Sequence, residues 1–303
     1  MNSRFLRWGI ALAACVCACI QPAAGAALSP EVARGLAWLQ AQVTSDGRVA
    51  GEASSTANVD QVRSEVATTL ALLSPPVPHA LLDQIVATSP LTTELLARKA
   101  IALQSASRPA DATLAELAAS QNADGGFGGE PGFASNPLDT AWALLAWAGQ
   151  AQGHAAEIKA AVQWLAAAQQ ATGGWLSTHD GQDAYVSAMA IEALAAYRAQ
   201  FALASPLSKG RSWLAAQKAS NNSWGSDAQT AVVLRALLPA VSDARPYQGP
   251  IDALMAHQAA DGSWQGDAYT SAIVLRVLQM AAQAVTNPDL ASITGVIKDA
   301  ATG

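Results

Sequence analysis

The chain has 303 residues and a formal net charge of −6, with 17 Lys and Arg against 23 Asp and Glu. An acidic chain without a basic cluster and with few aromatic residues is a poor partner for nucleic acids or anionic membranes, and we predict neither. Apolar residues make up 51% of the sequence and charged residues 13%, with much alanine. This composition predicts a mostly helical protein with a large core.

Residues 1–26 have the order of a secretory signal. Arg4 and Arg7 precede an apolar run over 8–20, and small residues follow it. The run is too short for a permanent membrane span, so we predict cleavage after this segment. Residues 27–303 then form one exported domain, periplasmic or secreted, with no membrane span.

All three cysteines, Cys15, Cys17 and Cys19, lie in the predicted signal. The mature chain therefore has no thiol for a disulfide, a zinc site or a nucleophile, and we predict no cofactor and no metal. The stretch from Leu12 to Cys15 also has the shape of a lipoprotein cleavage site. An outer-membrane lipoprotein lipidated at Cys15 is therefore an alternative.

A degenerate repeat runs through the mature chain. In its clearest copies an apolar helix ends in a glutamine, followed by a Gly- or Asn-containing turn and an aromatic residue; a weaker copy lies at 37–51. The glutamines are Gln121, Gln169, Gln217 and Gln258, and the aromatics are Phe127, Trp175, Trp224 and Trp264. Successive glutamines are 48, 48 and 41 residues apart, and repeats of this length indicate stacked supersecondary units. Large apolar residues that recur at one place are expected to be core.

A second apolar helix with a small-residue start follows each turn, so each unit is a helical hairpin. Residues 77–106 have the same two-helix pattern without the glutamine or the aromatic turn, which gives six hairpins. One hairpin cannot bury its own apolar face, and six can close into a ring. We therefore predict an all-α, (α/α)6 toroid, with a short tail helix over 289–300 packing at the closure.

The spacing Gln-x-x-Asp/Thr-Gly-x-aromatic in residues 121–127, 169–175 and 258–264 resembles the QW repeat of squalene and oxidosqualene cyclases. The resemblance implies the α/α toroid of terpenoid cyclases, protein prenyltransferase β-subunits, complement thioester domains and cobalamin carriers. We expect the glutamine to close the end of an outer helix onto the next inner helix. Because these proteins differ in activity, the fold does not define the function.

The residues that carry the chemistry of these families are mostly missing. Squalene-hopene-type cyclases protonate an alkene with the central acid of an Asp-x-Asp-Asp-Thr-Ala motif. When this motif is aligned with residues 136–141, its central acid falls on Leu138, and Asp139 is the only acid of the motif that the chain retains. No Asp-Asp pair occurs anywhere, so a diphosphate-ionising metal site is absent as well. Trp142 is among the few aromatic residues left to line a pore and stabilise a carbocation.

Asp139 and Asp183 precede the small residues of their predicted inner helices. Such aspartates cap helices, or they gather at one mouth of the barrel and bind a cation or act as acid and base. His179, Asp180 and Asp183 share the most polar loop of the chain. That loop is either solvated or supplies a metal site or an acid/base pair.

Glu192, Arg235 and Arg276 fall at one level of three consecutive inner helices. Buried charges need partners. They form an internal ion pair with a spare arginine that reaches water, or they face the pore and hold an anionic ligand head.

These residues favour an exported toroid that has lost the cyclase acid. It would bind an apolar or mixed apolar/anionic small molecule, or a protein segment. One alternative is a terpenoid-cyclase-type enzyme with a displaced acid at Asp139, Asp180 or Asp183. Another is a six-hairpin polysaccharide-active enzyme with Asp139 opposed to Asp180 or Asp183. A filled pore would favour the protein-binding scaffold, and a closed apolar cavity would favour terpenoid binding.

Overall fold

The computed structural model describes residues 28–148, 153–178 and 181–286. Over these ranges the chain forms twelve α-helices and three short 3-10 helices, with no strand, which confirms the all-α prediction. None of the described helices is long and apolar enough to cross a bilayer. The predicted signal peptide and tail helix lie outside the described residues.

The helices alternate between an outer and an inner set. The outer helices are α1 (Pro30–Gln42), α3 (His79–Ala87), α5 (Asp111–Ala119), α7 (Ala155–Ala167), α9 (Ala204–Ala216) and α11 (Gln248–Ala256). The inner helices are α2 (Val59–Leu73), α4 (Thr93–Ser105), α6 (Pro137–Trp147), α8 (Ala184–Ala196), α10 (Asp227–Leu237) and α12 (Ala268–Thr286). Each outer helix and the inner helix after it form one of the six predicted hairpins.

The inner helices form a closed ring. Each packs against the next, from α2 to α12, and α12 packs against α2. Gln61 on α2 donates to Glu94 on α4, and Arg235 on α10 donates to Glu192 on α8. Because each pair joins residues at similar distances from their helix starts, the inner helices run parallel and all begin at one end. That end is a common mouth built from the outer-to-inner connections.

The turn aromatics fasten each hairpin to itself. The backbone N–H of Trp264 donates to the Ser271 hydroxyl of the following inner helix at 2.9 Å, and its indole donates to the Leu254 carbonyl at 2.7 Å. The other turns repeat the backbone bond, as Phe127 to Thr140, Trp175 to Ser187 and Trp224 to Thr230. All four rings are buried, so the expectation that they are core residues is confirmed.

The repeat glutamines join neighbouring hairpins. The Gln258 amide donates to the Gly262 carbonyl of its own turn and to the Glu31 carbonyl of α1, both at 2.9 Å, which ties the last hairpin to the first. Gln121 and Gln169 make the corresponding two bonds, one to a glycine carbonyl of their own turn and one to the next outer helix, α7 or α9. The expected contact with the next inner helix was therefore wrong, because the partner is the next outer helix. A Cβ on Gly262 would come within 2.7 Å of the Arg34 carbonyl, so the close approach requires glycine.

Candidate functional site

Four charges, three of them buried, occupy the pore. We call Glu65, Glu94, Arg98 and Arg276 the pore cluster. Arg98 on α4 pairs with Glu65 on α2 at 3.0 Å and with Glu94 at 2.8 Å. Arg276 on α12 pairs with the other oxygen of Glu65. Two acids and two cations thus neutralise one another inside the ring, which is what buried charges require.

The Arg98 guanidinium also lies among the aromatic faces of the pore. Its centre is 4.0 Å from the Trp142 ring on α6 and 5.6 Å from the Tyr269 ring on α12, and it donates to the Tyr269 hydroxyl at 3.1 Å. Burial alone would lower its pKa, but the facing tyrosines and Glu94 hold the pKa of Arg98 above its ordinary value. Since α4 and α12 are not neighbours in the ring, these side chains cross the pore at this level.

Two of the three charges predicted at one level form a pair of their own. Arg235 Nε donates to Glu192 Oε2 at 2.8 Å, and Arg235 is buried. This confirms the internal ion pair. The prediction of a spare arginine that reaches water was wrong, because Arg276 is buried and pairs with Glu65. Trp142 lines the pore as predicted, with its ring against Arg98.

The mouth of the ring is acidic. We define the mouth as the six connections that lead into the inner helices together with the first turn of each inner helix. Arg48 and Lys218 are its cations in the described part of the chain. Its acids are Asp46, Glu52, Asp60, Glu94, Asp124, Glu130, Asp139, Asp183, Asp227, Asp261 and Asp267. Glu52 and Glu94 pair with Arg63 and Arg98, which lie just past the first turns of α2 and α4, and the excess of the remaining carboxylates attracts cations.

Asp139 lines a pocket in this mouth. The pocket has a volume of about 130 Å³ and lies between the starts of α6 and α8. Its lining residues are Asn136, Leu138, Asp139, Leu176, Ser177, Thr178 and Val186. The Asn136 side chain caps α6 and donates to Asp139 Oδ2 at 2.6 Å, while Oδ1 accepts no hydrogen bond from the described residues. Burial raises the pKa of Asp139, helped by the nearby charge of Glu94 and opposed by the Asn136 bond.

The other predicted acids differ in their surroundings. Asp183 is the N-cap of α8 and accepts the Val186 N–H at 2.9 Å. It lies at the start of the helix next to that of Asp139, so the two acids stand on one side of the mouth and do not face each other across it. His179 and Asp180 lie outside the described residues.

The sequence-based reasoning missed most of the pore cluster. Glu65, Glu94 and Arg98 belong to the two hairpins that lack a well-formed repeat turn, so no turn fixed their register. The available signal was the pair Glu94 and Arg98, which are spaced i and i+4 on one helix.

The ring of parallel inner helices, the glutamine-closed turns and the outer shell define a terpenoid-cyclase-like α/α toroid. Type II terpene cyclases are among the structures that the chain resembles. It matches apo MstE from Scytonema with a TM-score of 0.66 and 17% identity, covering 85% of this chain and 98% of MstE. It matches ent-copalyl diphosphate synthase from Streptomyces platensis with a TM-score of 0.56 and 22% identity, covering 74% of this chain and 49% of the synthase.

A protein from Actinoplanes is similar to the same degree, with a TM-score of 0.66, 18% identity and coverage of 83% of this chain and 98% of that one. MstE is also known in complex with geranylgeranyl dihydroxybenzoate as substrate and with merosterolic acid A as product. No protein-family model matches the sequence, and a comparison with curated proteins found no relative. At these identities the shared property is the fold.

Proposed function

We propose that this protein is an exported binding protein on a terpenoid-cyclase-like scaffold, that it binds its ligand or partner at the mouth, and that it does not cyclise polyprenyl chains. The observation that carries the proposal is the position of Arg98. Its guanidinium lies against Trp142 and Tyr269, the aromatic faces that would otherwise stabilise a carbocation. The Arg98 guanidinium therefore occupies the place that a carbocation would take between these aromatic rings.

The acid chemistry supports the same proposal. Alkene protonation needs a strong, preorganised acid. Leu138 stands where the cyclase motif has its central acid, and the neighbouring Asp139 has a raised pKa, which makes it a weaker acid than an ordinary aspartic acid. The mouth pocket of about 130 Å³ is also smaller than the roughly 300–1,000 Å³ typical of pockets for drug-sized ligands.

A turnover assay tests this proposal. Purified protein covering residues 27–303 is incubated with squalene, geranylgeranyl diphosphate and geranylgeranyl dihydroxybenzoate, and the extracts are compared with those of boiled protein by mass spectrometry. We expect all three substrates to be recovered unchanged. A cyclised product from any of them would contradict the proposal.

The second candidate is a cyclase-type enzyme whose displaced acid is Asp139. Its support is the half-buried carboxyl group of Asp139, which is the closest surviving relative of the motif acid and lines the pocket. The same assay discriminates, because this candidate predicts a cyclised product with the native chain and none with Asp139→Asn.

A further inference from the structure

Three exposed apolar side chains stand on consecutive connections of the mouth. Leu91 is 78% exposed, Phe133 62% and Leu176 42%, and they are among the few large hydrophobic residues exposed in the described chain. Thr93 donates its backbone N–H to the Gly129 carbonyl at 2.9 Å, which holds the connections of Leu91 and Phe133 together. We call these three residues the apolar arc. Because all three stand on the same mouth, a partner that binds there would cover exposed apolar surface.

The mouth pocket begins where the arc meets the inner helices. Leu176 belongs to both, and Leu138 and Val186 add apolar walls beside Asp139. Asp139 has no ion pair among the described residues, although it is half-buried. A half-buried carboxylate without a counter-ion is costly, and a ligand cation would remove that cost.

The geometry of the carboxylate selects the kind of cation. Asn136 already donates to Oδ2, so Oδ1 is the carboxylate oxygen that has no donor among the described residues. A single oxygen suits the compact ammonium of lysine, whereas the planar fork of arginine is matched by both oxygens of a carboxylate. Thr178 lines the same pocket, and its hydroxyl group is an acceptor for a further N–H group of an ammonium.

We propose that the mouth binds a segment of a partner protein that inserts a lysine side chain beside Asp139 and lays flanking apolar side chains on the apolar arc. This inference rests on the proposed function and names its partner by chemistry. The excess of carboxylates around the mouth attracts such a segment, while Leu91, Phe133 and Leu176 supply the apolar contacts. A lysine carries both properties, since its apolar stem can lie along Leu138 and its ammonium can reach the carboxylate.

The test uses a synthetic probe, the acetylated and amidated tripeptide leucine-lysine-phenylalanine, titrated into the mature protein by NMR or calorimetry. We expect saturable binding that weakens about tenfold when acetyl-lysine replaces the lysine of the probe. Binding of the unmodified probe should also weaken about tenfold in 0.5 M salt. Asp139→Asn is expected to weaken binding about tenfold, because it removes the charge that holds the ammonium.

Glu130→Gln is the matched control, since it removes one exposed carboxylate from the same mouth and leaves the pocket intact. Equal losses in the Glu130 and Asp139 variants would reduce the effect to general attraction and overturn the proposal. So would an unchanged affinity of an Asp139→Asn variant that remains folded, or n-butylamine binding as tightly as the peptide. The turnover assay is independent, so a failed peptide titration beside unreacted polyprenyl substrates rejects this inference and leaves the proposed function standing.

Discussion

The pore and the mouth treat their charges in opposite ways. In the pore cluster, Glu65 is buried and pairs with Arg98 and Arg276. At the mouth, Asp139 is half-buried, shares one oxygen with Asn136 and has no cation beside it among the described residues. The charges of the pore cluster pair with one another, whereas the mouth has a carboxylate without a charged partner among the described residues.

This difference separates a structural role from a binding role. Removing one member of a complete buried network leaves its partners uncompensated, which costs stability. Removing an unpaired carboxylate costs the fold little, and its main effect is on what the carboxylate would bind. Variants in the two regions should therefore divide into those that change stability and those that change ligand affinity.

The largest expected effect is in the pore. Glu65→Leu leaves Arg276 without an acidic partner and Arg98 with Glu94 alone. We expect the free energy of unfolding to fall by about 3–5 kcal/mol, the cost typical of breaking a buried ion pair. Urea unfolding followed by circular dichroism measures it, with Asp139→Asn as the control for loss of a carboxylate from the mouth. A loss below about 1 kcal/mol would mean that the cluster is not the complete network described above.

An intermediate effect is expected where the ring closes. Gln258→Ala removes the amide bonds to the Gly262 and Glu31 carbonyls and the exposed bond that Arg34 donates to its Oε1, two of which link the last hairpin to the first. We expect a loss of about 2 kcal/mol, near 1 for each of the two bonds to carbonyl groups.

Gln217→Ala is the matched control for ring closure. Gln217 stands at the same place in its repeat but donates only to the Trp213 carbonyl of its own helix, at 3.4 Å. It should change the free energy of unfolding by less than about 0.5 kcal/mol. Equal losses at Gln217 and Gln258 would show that the inter-hairpin bond adds nothing.

The repeat made the ring predictable, because each glutamine turn marks the end of one helix and the start of the next. It also gave the register of Glu192 and Arg235, which lie four residues past aligned alanines. Glu65 and Arg98 escaped prediction because the turn in the hairpin of Glu65 is only a weak copy and the hairpin of Arg98 has no such turn. The partner of Arg276 therefore could not be inferred from the repeat.

The motif comparison identified Asp139 as a candidate, but the sequence could not show its surroundings. Its pocket forms where Leu176, Ser177 and Thr178, in the connection before α8, fold back onto the start of α6. At this point neither this connection nor the one before α6 follows the spacing of the repeat, so the repeat does not predict their contact. Regular helices were therefore predictable, and the site built from irregular loops was not.

The smallest effect is a pH dependence at Asp139. Because burial raises its pKa in the folded state, the fold favours the protonated carboxyl group. That contribution is fully present below the unfolded pKa of about 3.9 and is lost as the pH rises through the folded value. Asp139→Asn removes the penalty, so its melting temperature should exceed that of the native chain by about 2 °C at pH 7 and match it near pH 3.5. Thermal melts across this range measure the difference. A native chain that melts above Asp139→Asn at pH 7, with a difference that disappears toward acid, would mean that Asp139 has a stabilising cation in the folded protein, which would close the mouth to the proposed lysine.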